Sequence, residues 1–128
     1  MTTVWIVDDD LEMRQAIRLM LQVIGCESVP YGDARSTARA LLAGQSPDLL
    51  LLDINMPEVN GLDLLEFVRR RREWQALPVL MLSTEAADVT IDRAMALGAD
   101  GYVVKPATME ELQRALDKAL HQTRKGAL

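Results

Sequence analysis

The sequence alternates five times between a short apolar run and a longer segment whose apolar residues recur at helical spacing. The short runs cover residues 4–7, 26–31, 49–52, 79–82 and 102–104. In the first longer segment, for example, Met13, Ile17 and Met20 follow the three- and four-residue spacing of an amphipathic helix. Such alternation of strands and helices favours a parallel sheet with right-handed crossovers and helices on both faces. We therefore predict a three-layer α/β fold.

The third apolar run consists of four consecutive leucines, Leu49 to Leu52, and is followed at once by Asp53. A strand exposed on one face would alternate apolar and polar residues, so this run indicates a strand buried on both faces. Open α/β sheets bind their ligands at the carboxyl ends of such strands. Asp53 is therefore either a residue that turns the chain or the centre of a site.

The length of 128 residues is that of one domain, which we place at residues 1–122, with a tail or the start of a linker at 123–128. No apolar stretch is long enough to span a membrane, and the first residues lack the features of a signal peptide. These features predict a cytoplasmic protein without membrane contact. Cys26, the single cysteine, has no internal disulfide partner, and we expect it to be a buried apolar side chain.

The net charge is −5, with 14 basic and 19 acidic residues, which argues against direct nucleic-acid binding because that function needs a basic surface. The one basic cluster runs from Arg69 to Arg72, at the predicted end of a helix. Cations are favourable at the negative end of the helix dipole. We expect a solvated helix end there, with a docking patch for an acidic partner as the alternative.

Polar side chains follow four of the five apolar runs, each at the end of its run. They are Asp8 and Asp9, Asp53, Ser83 and Thr84, and Lys105. One such residue alone would suggest a helix cap or a turn. Because the carboxyl ends of parallel strands lie at one edge of the sheet, four sets together predict a functional site at that edge.

The chemistry of these side chains indicates phosphoryl transfer. Crowded carboxylates repel one another unless a cation is present, and a site made only of oxygen ligands suits Mg²⁺. Lys105 can balance the carboxylates and hold a phosphoryl oxygen, and a small hydroxyl can donate to another. Asp53 follows the most buried strand and is the best nucleophile.

The chain resembles the receiver domain of two-component response regulators over essentially its whole length. The resemblance rests on four motifs: Val7-Asp8-Asp9, residues 52–57 with Gly61, Ser83, and residues 102–106. Each motif alone would be weak, whereas all four in this order are specific. The single-domain chemotaxis regulators are the nearest type, and the resemblance implies a flavodoxin-like sheet of strand order 2-1-3-4-5 with five helices.

The resemblance also implies roles for individual residues. Asp53 would accept a phosphoryl group from the phosphohistidine of a sensor histidine kinase or phosphotransfer protein. Asp8 and Asp9 would hold Mg²⁺, together with Asp53 and the backbone carbonyl of Asn55. Lys105 would contact the phosphoryl group, and its bond to the following proline would be cis.

Further implied roles concern the switch from the inactive to the active state. Ser83 would be the switch hydroxyl, with Thr84 as the alternative and as a second phosphoryl contact. Tyr102 is either the aromatic that reports the switch or a half-buried residue of an edge strand. Asn55 and Glu85 would shorten the lifetime of the phosphoryl group. Output would appear on the face of the fourth helix, fifth strand and fifth helix, as docking of a partner or a phosphorylation-dependent homodimer.

Three other functions compete with a signalling switch that catalyses its own phosphorylation and dephosphorylation. An aspartate-dependent phosphohydrolase uses related strand-end chemistry, but it needs a second acid two residues after the nucleophile, where this chain has Asn55. A nucleotide-binding module would need a glycine-rich loop after the first strand, and residues 8–10 are aspartates. A receiver-like interaction domain that takes no phosphate would not need Asp53, Lys105 and a hydroxyl together.

Overall fold

The computed structural model describes residues 1–122, which form a five-stranded parallel sheet of order β2-β1-β3-β4-β5. The strands are β1 Thr3–Val7, β2 Glu27–Tyr31, β3 Leu49–Leu52, β4 Val79–Ser83 and β5 Gly101–Val104. The helices are α1 Leu11–Ile24, α2 Ala34–Leu42, α3 Gly61–Arg70, α4 Asp88–Leu97 and α5 Met109–Gln122. The predicted fold class and strand order are confirmed. The predicted tail 123–128 lies outside the described residues.

The sheet lies between two layers of helices, and its central strands are buried on both faces. In β3, Leu49 and Leu51 pack towards α1 and α5, whereas Leu50 and Leu52 pack towards α2, α3 and α4. All four leucines are at most 1% exposed. The leucine run is therefore a doubly buried strand, as predicted, and it forms the middle of both cores.

Short polar signals in the sequence set where the helices begin and end. The Asp10 side chain caps α1 by accepting from the Met13 amide, and Gly25 ends that helix with a φ of 103°. Thr108 and Glu111 exchange two hydrogen bonds, which form a capping box at the start of α5. Helix α5 includes His121 and ends at Gln122.

The expectation of a solvated helix end at Arg69–Arg72 is wrong for Arg69. This side chain is only 14% exposed and forms an ion pair of 3.0 Å with Asp100. It also donates to the carbonyl oxygens of Gly98, Trp74 and Leu77 at 2.7 to 3.0 Å. The pattern of four arginines gave no sign that one would turn inward, because its partners come from the α3–β4 and α4–β5 connections.

The edge strand β2 also departs in one respect from expectation. Pro30 lies in this strand at the edge of the sheet, where a residue without a backbone N–H is tolerated. Cys26 precedes the strand and is half-buried rather than fully buried. Burial, followed by the carboxylates of Asp117 and Asp48, raises the pKa of its thiol. No helix within residues 1–122 has the length and apolar character to cross a membrane.

Candidate functional site

The strand register brings the predicted site residues to one edge of the sheet. Val7 of β1 lies opposite Leu52 of β3, so Asp8 and Asp53 leave their strands side by side. The Asp53 amide donates to the Val7 carbonyl at 2.9 Å. On the other side, the Lys105 amide donates to the Ser83 carbonyl at 2.9 Å, which aligns the ends of β4 and β5. The sheet therefore places all four residues at its carboxyl edge.

The centre of the site is a buried lysine between two aspartates. Lys105 Nζ lies 2.7 Å from Asp8 Oδ2 and 3.7 Å from Asp53 Oδ1. The side chains of Lys105, Asp8 and Asp53 are only 7%, 2% and 10% exposed, so water screens these charges weakly. In this arrangement Asp8 makes the closer ion pair, and Asp53 retains the freer carboxylate.

Three carboxylates at this edge can together hold a metal ion. One oxygen each from Asp8, Asp9 and Asp53 lies within 4.8 Å of the others. Asp9 is exposed whereas the other two are buried, so a bound ion would face solvent on one side. Oxygen ligands with room for water fit Mg²⁺, which keeps several waters when it binds to proteins. The backbone carbonyl of Asn55 remains a predicted ligand.

The two candidate hydroxyls differ in burial. Ser83 is fully buried at 0% exposure, whereas Thr84 is exposed. The Ser83 hydroxyl accepts a hydrogen bond from the Glu85 amide at 3.2 Å and interacts with the Asp53 carboxylate. The structure therefore brings Ser83, and not Thr84, into the buried centre of the site.

Tyr102 on β5 is half-buried and packs on the core between the sheet and helices α2 to α4. Its hydroxyl donates to the backbone carbonyl of Glu85 at 2.7 Å. The Glu85 amide donates to the Ser83 hydroxyl, so hydrogen bonds hold both the amide and the carbonyl of Glu85. Tyr102 is thus linked to the site through one residue of the β4–α4 loop.

Asn55 and Glu85 lie across the mouth of the site from each other. Asn55 Nδ2 lies 3.4 Å from Glu85 Oε1, which is a long hydrogen bond. One residue follows β3 and the other follows β4. The pair therefore bridges the loops that follow β3 and β4.

Gly61, the first residue of α3, lies against the backbone of Asp53. A Cβ atom at Gly61 would come within 2.0 Å of the Asp53 carbonyl oxygen and 2.9 Å of its carbonyl carbon. The Gly61 amide donates to Ile54 at 2.9 Å, which closes the loop between β3 and α3. The sequence showed this glycine as part of a motif but did not show which atoms require it.

Arg14 is a residue of the site that the sequence did not indicate. It lies in the first turns of α1 and is half-buried, and its Nη1 donates to the backbone carbonyl of Asp8 at 2.6 Å. An arginine on a helix usually faces solvent, so the local pattern carried no signal. Its relation to Asp8 depends on how α1 folds back along β1.

Burial raises the pKa of the Asp53 carboxyl above its usual range. The positive charge of Lys105 opposes this rise, while the negative charge of Asp8 adds to it. Hydrogen bonds from the Asn55 amide and the Ser83 hydroxyl also lower the pKa. The site therefore disfavours the ionised Asp53 carboxylate, which is the form that can act as a nucleophile. A bound cation would stabilise this ionised form.

This pKa shift predicts how stability depends on pH. A carboxyl with a raised folded-state pKa binds its proton more tightly in the folded protein than in the unfolded chain. The free energy of unfolding therefore falls as the pH rises from the ordinary pKa of 3.8 through the raised pKa of Asp53. Asp53→Asn, which imitates the neutral form, should be more stable than the wild type at neutral pH without divalent cations. The difference should shrink as pH falls towards 3.8.

Urea unfolding with a metal chelator, measured at a series of pH values, checks this expectation. A wild-type chain more stable than Asp53→Asn at neutral pH would contradict it. Asp92→Asn, at an exposed position of α4, is the matched control and should show no such pH-dependent gain.

Comparison with known proteins shows one consistent relationship. The sequence profile of the response regulator receiver domain matches residues 4–117. Chemotaxis protein CheY-3 of Vibrio cholerae is 38% identical over 113 residues, which cover 88% of this chain and 87% of that protein. The KDP operon transcriptional regulatory protein KdpE of Escherichia coli is 36% identical over 124 residues, 95% of this chain and 52% of that protein. The solved structure of Vibrio cholerae CheY4 matches with a TM-score of 0.83 and 32% identity, covering 93% of this chain and 98% of that one.

Proposed function

The chain belongs to the response regulator receiver domain family of two-component signalling, whose members act as switches rather than as conventional enzymes, and on that premise we propose that Asp53 is its phosphoacceptor. The phosphoryl group would come from the phosphohistidine of a sensor histidine kinase or a phosphotransfer protein. The observation that carries this proposal is the buried contact of Lys105 with both Asp8 and Asp53 at the end of the central strand.

In the proposed reaction an Asp53 carboxylate oxygen attacks the phosphorus atom. The new O–P bond forms as the N–P bond of the phosphohistidine breaks, and the electron pair leaves with the imidazole. Lys105 Nζ, 3.7 Å from Asp53 Oδ1, faces the position that the incoming phosphoryl oxygens would occupy. Receiver domains generally bind Mg²⁺, which when bound neutralises charge on the transferring group. Here Asp8 and Asp9 would hold the ion, together with Asp53 and the Asn55 carbonyl.

Phosphorylation would then switch the domain through Ser83. To donate to a phosphoryl oxygen on Asp53, the Ser83 hydroxyl must turn towards it and weaken its contact with the Glu85 amide. Glu85 is also the acceptor for the Tyr102 hydroxyl, so the change reaches β5. The proposed output is a shift in population on the face of α4, β5 and α5, read by a partner or by a second copy of the chain.

A phosphohydrolase is the less favoured alternative. After attack by Asp53, such an enzyme needs a neighbouring acid to protonate the leaving group. Asn55 occupies the position two residues on and cannot supply a proton in that role.

Incubation with acetyl phosphate and Mg²⁺, followed by a phosphate-affinity gel, tests the proposed function without a kinase. The expected result is one retarded species that forms with Mg²⁺ and does not form when Mg²⁺ is chelated beforehand. Absence of any phosphorylated species, with the protein folded, would contradict the proposal. Size measurement with beryllofluoride then separates the two outputs, because a dimer seen only with this phosphoryl mimic indicates a homodimer, and a monomer indicates partner docking.

The position of Asn55 and Glu85 predicts a short-lived phosphoryl group. Both side chains are polar and bridge the mouth of the site, where they can orient an attacking water. Replacing Glu85 with leucine should remove this contact, cover the mouth with an apolar group and slow hydrolysis severalfold. The decay of the phosphorylated band after removal of the donor measures the rate. Glu73→Leu, the same change at an exposed position between α3 and β4, is the control. A wild-type phosphoryl group that persists for hours would contradict the expectation.

A further inference from the structure

Arg14 holds the peptide group that joins Asp8 to Asp9. Its Nη1 donates to the Asp8 carbonyl oxygen at 2.6 Å. That carbonyl is part of the peptide bond between Asp8 and Asp9. The Asp8 amide, on the other side, donates to the Tyr31 carbonyl at 3.1 Å. The backbone of Asp8 is thus fixed at both its amide and its carbonyl, and the second contact comes from a charged side chain.

The same interaction determines where the Asp9 carboxylate lies. The Asp8 carboxylate is already bound by Lys105 at 2.7 Å and by the Asp10 amide at 2.9 Å. Asp9 is exposed, so packing constrains its side chain little. The orientation of the Asp8–Asp9 peptide therefore sets the direction from which Asp9 enters the three-carboxylate cluster.

The guanidinium group of Arg14 lies against Gly32, in the loop after β2. A Cβ atom at Gly32 would come within 3.3 Å of Arg14 Nη1, closer than most such contacts. The glycine thus leaves room for the guanidinium to reach the Asp8 carbonyl.

We propose that Arg14 is a positioning residue for the metal side of the site, which acts through the Asp8–Asp9 peptide. The proposal rests on the proposed function. Residues that orient metal ligands through hydrogen bonds change metal affinity by about tenfold or more when they are removed. Arg14→Met retains most of the aliphatic stem and loses the donor, so it should weaken Mg²⁺ binding by about tenfold.

The sign of this effect separates positioning from charge. Removal of a cation near three carboxylates should strengthen Mg²⁺ binding if only electrostatics acts, because like charges repel. Positioning predicts weaker binding instead. Arg18→Met is the matched control, because Arg18 is exposed one turn further along α1 and its loss changes the net charge equally. This control should leave the affinity unchanged or slightly tighter.

Isothermal titration calorimetry with Mg²⁺ gives the dissociation constants, and phosphorylation by acetyl phosphate is then followed against Mg²⁺ concentration. For Arg14→Met we expect the half-saturating Mg²⁺ concentration to rise by about tenfold while the rate at saturating Mg²⁺ stays near that of the wild type. A general loss of folded protein would lower the maximal rate and leave half-saturation unchanged, which would overturn the proposal. Unchanged or tighter Mg²⁺ binding by Arg14→Met would also overturn it.

If Arg14→Met does not fold, Arg14→Gln decides the question. Glutamine is polar but shorter than arginine, so it loses the hydrogen bond to the Asp8 carbonyl; weaker Mg²⁺ binding supports positioning, and unchanged or tighter binding overturns it. Failure of the proposed function has a different signature, because the wild-type chain itself would then fail to bind Mg²⁺ or to accept a phosphoryl group. If the wild type binds Mg²⁺ and is phosphorylated while the Arg14 variants keep the same Mg²⁺ affinity, only the proposed role of Arg14 is contradicted.

Discussion

Asp53→Asn is expected to abolish phosphorylation by acetyl phosphate, with a fall in rate of at least about a thousandfold. The amide has almost the same shape as the carboxylate but has no charged oxygen to attack phosphorus. The substitution also removes one ligand from the three-carboxylate cluster, so Mg²⁺ binding should weaken. Loss of activity with a stable fold would separate a chemical role of Asp53 from a structural one.

Phosphate-affinity gels over a time course measure this effect. Asp92→Asn provides the matched control, because it makes the same chemical change at an exposed position of α4, away from the carboxyl edge of the sheet. We expect this control to be phosphorylated at the wild-type rate. Phosphorylation of Asp53→Asn at that rate would remove Asp53 from the mechanism.

Gly61→Ala is expected to destabilise the fold by about 3 kcal/mol, since overpacking against backbone cannot be relieved by a change of rotamer. The added Cβ would come within 2.0 Å of the Asp53 carbonyl oxygen, so either α3 or the segment around Asp53 must shift. Phosphorylation should fall as well, because Asp53 would leave its place beside Lys105. Both effects have one cause, the close approach of the α3 N-terminus to Asp53.

Urea unfolding measures this loss, with Gly44→Ala as the comparison. Gly44 has a φ of 93°, and apart from its chain neighbours no atom lies within 4 Å of the added Cβ. Alanine at this position would therefore be destabilised only by the left-handed backbone conformation. That strain costs about 1 to 2 kcal/mol. Gly61→Ala should therefore be the less stable of the two, and equal stability would contradict the close approach.

The fold and the position of the site followed from the sequence because both depend on short-range patterns. The four leucines at 49–52 allowed only a strand buried on both faces, and the structure has that strand in the middle of the sheet. Local signals also set the helix boundaries, as at Asp10 and Gly25 of α1. A parallel sheet then brings its strand ends to one edge, which made the grouping of Asp8, Asp53 and Lys105 predictable.

Details that depend on distant contacts did not follow. The pattern of β4 did not separate Ser83 from Thr84, because this strand is apolar on both faces and gives no alternation to show which side chain points inward. Only the family resemblance favoured Ser83. Arg69 and Arg14 have partners that are distant in the chain or that lie on the backbone, and a charged residue on a helix carries no mark of such contacts. The tertiary structure decides these cases.

Peptide mapping of the phosphorylated wild-type chain tests the phosphoacceptor directly. The chain is phosphorylated with acetyl phosphate and Mg²⁺, and reduction of the acyl phosphate then leaves a stable alcohol at the modified residue. We expect the modification on the peptide that contains Asp53 and on no other. Modification on the peptide that contains Asp8 and Asp9, or on the one that contains Ser83, would contradict the assignment of Asp53.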